Sequence, residues 1–220
     1  MSKTISICGV ERGDVAYYMA VILSKASIQG NTVLVIDNSF THDIYSAVAE
    51  SNTDKEFVVK QNITYMKNAL INKDYEGFFD YVIIWHGNNI NDEILKNSDF
   101  IYVMPDYTKA SLNVIKTKIT DWDNVSMVVL RDSVISNKLS EKRIAEYLGI
   151  KEEDIKYTLI YDNKDYENYL AFLYNGRQTF GNLTPIYNEF LTAAIAQITE
   201  LDTKEASKLF KRARTAQGNK

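Results

Sequence analysis

TISICGVERGDVAYYMAV, residues Thr4–Val21, is the stretch on which the fold turns. Its opening, Thr4–Cys8, is a short apolar run of the kind that forms a strand buried on both faces. A loop carrying Gly9 and Gly13 follows, then a segment from Val15 to Ile28 patterned as a helix and stopped by Gly30. Strand, glycine loop and helix in that order make the first unit of a parallel α/β sheet. Open parallel sheets take ligands at the carboxyl ends of their strands, so this loop is the first place to look for chemistry. Such a loop holds phosphate when glycines let backbone N–H groups curl round the anion at a helix N-terminus. A lysine then neutralises the outer phosphates, and a Ser/Thr hydroxyl holds magnesium.

Similar runs recur outward along the chain: Thr32–Asp37, Asn62–Met66, Asp80–Trp85, Asp99–Met104, Val125–Leu130 and Tyr157–Asp162. Helix-length segments between them predict one doubly wound α/β domain, with a mostly parallel sheet of about seven strands and helices on both faces. Local signals place the helices. Asn91-Asp92 opens one, and Thr108 caps another that carries Leu112, Ile115 and Ile119 on one face. Ser140 begins a third that ends at Gly149, and Pro185 suits the first turn of a fourth through Phe190, Leu191 and Ile195. Asn175–Leu183 reads as a long loop before the last helices.

The chain has 220 residues, 25 Lys+Arg against 29 Asp+Glu, and is 45% hydrophobic, which suits a folded domain with a sizeable core and excludes wholesale disorder. Its one cysteine makes neither an internal disulfide nor a multi-cysteine metal site, and points to a reducing cytoplasm. The N-terminal apolar run is too short for a signal peptide, and no stretch reaches the ~18–20 apolar residues that span a bilayer. The charge is uneven. Residues 1–200 read as one domain, and 201–220 as a basic amphipathic C-terminal tail holding six Lys/Arg and two acids. Leu201, Leu209, Phe210 and Ala213 fall near one helical face of that tail, with Lys208, Lys211, Arg212 and Arg214 around it. These four are candidates to meet DNA, an anionic membrane or a protein partner, although a solvated terminal helix carries the same pattern.

The layout resembles one family over roughly residues 1–135. A first strand, glycine loop and helix, then a strand ending Val35-Ile36-Asp37, and later Asp80-Tyr81-Val82-Ile83-Ile84 before a loop, look like the ParA/MinD-type ATPases. Their deviant P-loop reads G-x-K-G-G-x-G-K-S/T. Gly9 matches its first glycine and Gly13 the second of its glycine pair. Glu11 stands at the signature lysine, Arg12 at a glycine and Val15 at the last glycine. Ala16 takes the catalytic lysine's position, and Tyr17 that of the Ser/Thr that holds magnesium. Asp37 matches the acid that in the family faces the attacking water. Trp85, followed by His86, replaces the Walker B aspartate, and Arg131 falls near the asparagine that reads adenine. The resemblance thus implies a P-loop NTPase-like fold with a degenerate motif. Phosphoryl transfer needs a cation at the transferred group and a metal bridging the phosphates, and Ala16 brings no charge. Arg12 can grip a phosphate bidentately, but Glu11 and Asp14 flank it and repel the same anion.

Gly9, Glu11, Arg12, Gly13 and Asp37 are therefore the expected remnant of a nucleotide site, with no catalytic or metal-binding residue among them. Asp37 equally reads as a turn cap, Trp85 as packing, His86 as a hydrogen-bonded loop residue and Cys8 as an inert buried thiol. Fifteen tyrosines raise the question of base stacking, but Tyr157, Tyr161, Tyr166 and Tyr169 have no Lys/Arg platform beside them in sequence. Two functions stay open beside that of a DNA- or membrane-associated segregation factor acting through the C-terminal basic helix. One is a non-catalytic, cofactor-free positioning or assembly factor that works through protein partners. It resembles the TadZ/CpaE-like proteins, which localise pilus secretion machinery, and the family implies a homodimer. The other is an ATP-binding ATPase with a remodelled loop, using Arg12 and Asp37, in DNA partition or membrane positioning. Both are expected in the cytoplasm, peripheral to the membrane where the tail engages lipid. No dinucleotide-binding G-x-G-x-x-G and no nucleophile elbow is present.

Overall fold

Eight strands join in one sheet in the computed structural model, which describes residues 2–26, 30–49, 55–68, 75, 77–134, 139–176, 180 and 183–218. They are β1 (Lys3–Gly9), β2 (Val33–Asp37), β3 (Phe57–Lys60), β4 (Ile63–Lys67), β5 (Tyr81–Gly87), β6 (Phe100–Met104), β7 (Val125–Ser133) and β8 (Ile155–Ile160). Their order across the sheet is β3-β4-β2-β5-β1-β6-β7-β8. Every neighbouring pair is parallel except β3 with β4. The helices are α1 (Asp14–Leu23), α2 (Asp43–Ala49), α3 (Asp92–Lys96), α4 (Lys109–Lys116), α5 (Glu141–Leu148), α6 (Asn163–Asn175), α7 (Pro185–Thr199) and α8 (Thr203–Gly218).

The two faces of the sheet bury separate cores, as the alternation of side chains on β1 requires. Ile5 and Ile7 join the larger core with α1, α2, α7 and α8, whereas Cys8 faces the core built with α3, α4 and α5. Every residue of α1 is buried, because α7 and α8 cover the side that the sheet leaves open. Tyr17 and Tyr18 on this helix pack as core aromatics, with ring centroids 4.5 Å from Phe172 and 4.8 Å from Phe180.

The expected caps are in place. Asn91, Thr108 and Ser140 each accept backbone N–H bonds at a helix start, Gly149 closes α5 at φ 76°, and Pro185 opens α7. Three features differ from expectation. α1 ends at Leu23 instead of running to Ile28, because Asn31 turns back to give its backbone N–H to the Ser24 carbonyl and its amide to that of Leu23. β3 is an additional, antiparallel edge strand, joined to β4 by Gln61 and Asn62 at φ 56° and 64°. α6 follows β8, with the Asp162 carboxylate accepting from the Lys164 and Asp165 amides as its N-cap. The loop expected over Asn175–Leu183 lies largely outside the described residues.

The C-terminal segment is a layer of this body. Ala206, Leu209, Phe210 and Ala213 on α8 are buried in the larger core, while Lys208, Lys211, Arg212 and Arg214 face solvent. Its apolar face is already spent on protein. No helix among the described residues is long and apolar enough to cross a membrane.

Candidate functional site

The loop from β1 to α1 lies at the carboxyl end of the sheet, at its centre. Gly9 has φ 128°, and a Cβ there would run into the Met104 carbonyl at the end of β6, so only glycine lets the two strand ends close up. Gly13 lies under α2, where a Cβ would collide with the Ile44 side chain. The loop is therefore covered by protein.

Between these glycines two charged side chains turn in opposite directions. The Glu11 carboxylate accepts the Asn88 N–H at 2.6 Å, beyond the end of β5. Burial raises its pKa, Asn88 opposes this, and the charges of Asp43 and Asp37 add to it. Arg12 points the other way and is almost wholly buried. Its Nη1 donates to Asp132 at 2.6 Å and its Nη2 to Asp14 at 3.3 Å. The guanidinium lies 5.3 Å from the ring centroids of both Tyr166 and Tyr169, within cation–π range. These two tyrosines thus have an arginine partner after all: it comes from a loop more than 150 residues away, out of reach of local sequence.

Asp14, the first residue of α1, is the hub. Arg131 on β7 grips its carboxylate as a fork, Nη1 to Oδ1 at 3.2 Å and Nη2 to Oδ2 at 2.9 Å. The Tyr187 hydroxyl of α7 donates to Oδ2 at 2.9 Å, and Arg131 Nη1 also reaches that hydroxyl at 3.3 Å. Burial by itself would raise the Asp14 pKa, but the charges of Arg131 and Arg12, with the hydrogen bonds from Arg131 and Tyr187, hold it below the usual range. The helix N-terminus favours the same negative charge. Asp132, at φ 51°, turns its carboxylate back to Arg12, a backbone region that aspartate tolerates better than most residues. Asp14 therefore does not stand beside an open anion site and repel its ligand. It fills the space between the two arginines.

The other expected site residues make contacts within the fold. The Asp37 carboxylate accepts the Ser39 N–H and hydroxyl and the Tyr45 N–H, which ties the end of β2 to α2. Trp85 pairs with Asp37 across β2 and β5 and is buried beside Gly13. His86 belongs to β5 and not to a loop, with its Nε2 3.2 Å from Ser6 Oγ. Burial pushes the Cys8 thiol up, as an inert core cysteine requires. Gly9, Glu11, Arg12, Gly13 and Asp37 do share the carboxyl end of the sheet, but Glu11 and Arg12 part from one another. The residues that complete the arrangement, Asp14, Asp132, Tyr166, Tyr169 and Tyr187, were not expected. Their trace in sequence is the spacing Arg12-x-Asp14 in the loop after β1 and the pair Arg131-Asp132 near the end of β7, each setting an acid close to a base.

These residues do not fit a magnesium nucleotide. Gly13 is packed under Ile44, Ala16 is a buried methyl, Tyr17 is turned into the aromatic core, and the arginines are already neutralised by Asp14 and Asp132. The Asp43 and Asp37 carboxylates lie near enough to Glu11 for their charges to act on it. Among the described residues, no group of three or more His, Cys, Asp or Glu is placed to hold a metal ion.

No protein-family model matches the chain, and no curated protein matches its sequence. Solved structures do match its shape. A ParA family ATPase from Chlorobium tepidum TLS is 13% identical, with 97% of this chain and 99% of that one covered at a TM-score of 0.54. The MinC:MinD cell division protein complex of Aquifex aeolicus is 15% identical, covering 100% and 97% at 0.53. A candidate plasmid partition protein of Borrelia burgdorferi B31, bound to AMPPNP, is 15% identical, covering 96% and 99% at 0.50. At such identities the likeness is one of architecture: over its whole length, the chain has the P-loop NTPase-like α/β fold of the ParA and MinD ATPases.

Proposed function

We propose that this chain works without hydrolysing ATP, as a positioning or assembly factor of the ParA/MinD fold acting through protein–protein contacts, in the manner of the TadZ/CpaE-like proteins. The observation that carries this reading is the Asp14 carboxylate, held by Arg131, Arg12 and Tyr187 inside the loop that would otherwise receive phosphate. A preorganised cation at the transferred group is the main source of catalysis in phosphoryl transfer. Here the local cations are committed to internal acids. Contact with protein is supported by an exposed apolar stripe on and beside α6, formed by Tyr161, Tyr166, Leu170 and Tyr174. A homodimer and a hetero-complex both suit such a surface, and one fold neighbour is the MinC:MinD complex. The exposed basic side of α8, with Lys208, Lys211, Arg212 and Arg214, is the proposed contact for DNA or an anionic membrane. Because the apolar side of α8 is buried, that contact is electrostatic.

The second reading, an ATP-binding ATPase with a remodelled loop in DNA partition or membrane positioning, is favoured by the fold neighbours, one an ATPase and one bound to AMPPNP. Labelled ATP with magnesium separates the two. The expected result is no phosphate release above background and no saturable binding up to about 1 mM nucleotide, the upper end of ordinary KM values. Micromolar binding with steady phosphate release would establish the second reading instead.

A further inference from the structure

We infer that Arg12, Arg131 and the Tyr187 hydroxyl form an oxyanion-binding site whose resident ligand is the chain's own Asp14 carboxylate, and that the site takes a small free oxyanion once that carboxylate is removed. The inference deepens the proposed function, since the same loop is concerned. Three observations support it. Donors from three separate elements converge on one carboxylate: Arg12 from the loop, the Arg131 fork from β7 and the Tyr187 hydroxyl from α7. Arg131 presents the two-pronged geometry that suits carboxylate and phosphate alike. The receptor groups are dry, with Arg12 and Arg131 only 7% and 2% exposed, and the Nε atom of each is buried without a partner among the described residues. The position also suits an anion, at the carboxyl end of the sheet and the N-terminus of α1.

Removing Asp14 leaves two buried guanidiniums with only Asp132 between them, which is costly unless another anion enters. The variant Asp14→Gly, which clears the most space, should melt roughly 10 °C below the parent chain in chloride buffer. Sodium formate or inorganic phosphate, at about ten times its Kd and matched to chloride in ionic strength, should raise that Tm by about 3–6 °C. The same anions should leave the parent chain within about 1 °C, and adding Arg131→Met to the variant should abolish the response. If Asp14→Gly does not refold in chloride, the readout is its recovery from urea in formate or phosphate. A variant that responds to neither anion, or that refolds in none of the three, overturns the inference and leaves the absence of ATP hydrolysis standing. Phosphate release by the parent chain would overturn the proposed function and leave the anion response standing.

Discussion

His86 carries an imidazole into the core beside Ser6, with no charged group among the causes of its shift. Burial pushes its pKa down from 6.5 to about 4, more than the nearby Asn89 backbone restores. The unfolded chain takes up a proton near pH 6.5 that the folded chain refuses until about pH 4, so His86 subtracts stability as pH falls through that window, by up to about 3 kcal/mol. His86→Gln keeps a hydrogen-bonding group beside Ser6 and should remove that part of the slope. Urea titrations of both proteins across the window would show it, and parallel curves would refute the assignment. Asp14 acts lower on the scale: its depressed pKa gives stability that is present above the ordinary aspartate range and lost as pH falls through its folded value. Its partner is as exposed to test. Arg131→Met should cost about 3 kcal/mol, and equally at low and high salt, because the pair is dry and screening reaches it poorly. A loss that shrank in high salt would mean that water already enters the site.

At the scale of the element, α8 divides its two faces between different tasks. Leu209 and Phe210 are buried against the body of the domain, so Leu209→Ala should cost about 2–4 kcal/mol in urea unfolding. The triple change Lys208→Glu, Lys211→Glu and Arg212→Glu touches only solvent-facing positions and should stay within about 1.5 kcal/mol of the parent. It should also abolish co-sedimentation with DNA or anionic vesicles. Retained co-sedimentation would move the anionic contact elsewhere on the molecule. The sequence showed both faces of α8 but not its docking, because an apolar stripe looks the same whether protein or lipid covers it. Elements with chemical punctuation were easier to read. Asn91, Ser140, Gly149 and Pro185 act through backbone groups within a few residues, so their meaning is local. β3 has no such mark, being four residues long and turned by Gln61-Asn62 without a glycine. Its existence depends on pairing with β4, which no local pattern records.

At the scale of the whole molecule, the sheet was legible and the closure of its central loop was not. Buried parallel strands announce themselves as apolar runs, and seven of the eight strands did so. The loop showed what it lacked, through Ala16 and Tyr17, because a missing lysine is visible at one position. What fills the space comes from Arg12, Asp14, Arg131 and Tyr187, spread over more than 170 residues and joined only by the fold. That network has a consequence for motion. The loop, α1, β7 and α7 are cross-linked by ion pairs and hydrogen bonds among the chain's own side chains, and Asp165 adds a tie by accepting the Thr184 N–H and hydroxyl across α6 and α7. Amides protected by such a structure exchange only when a large part of it opens. In the ligand-free protein, hydrogen exchange at the hydrogen-bonded Val10 and Tyr17 amides should therefore be about as slow as in β1 and β5. Arg12→Ala, which releases Asp132, Asp14 and the two tyrosine rings together, should speed exchange through the loop while the central strands keep their protection. If those loop amides already exchange fast in the parent chain, and magnesium nucleotide slows them, the loop is ordered by a ligand and not by its own charges.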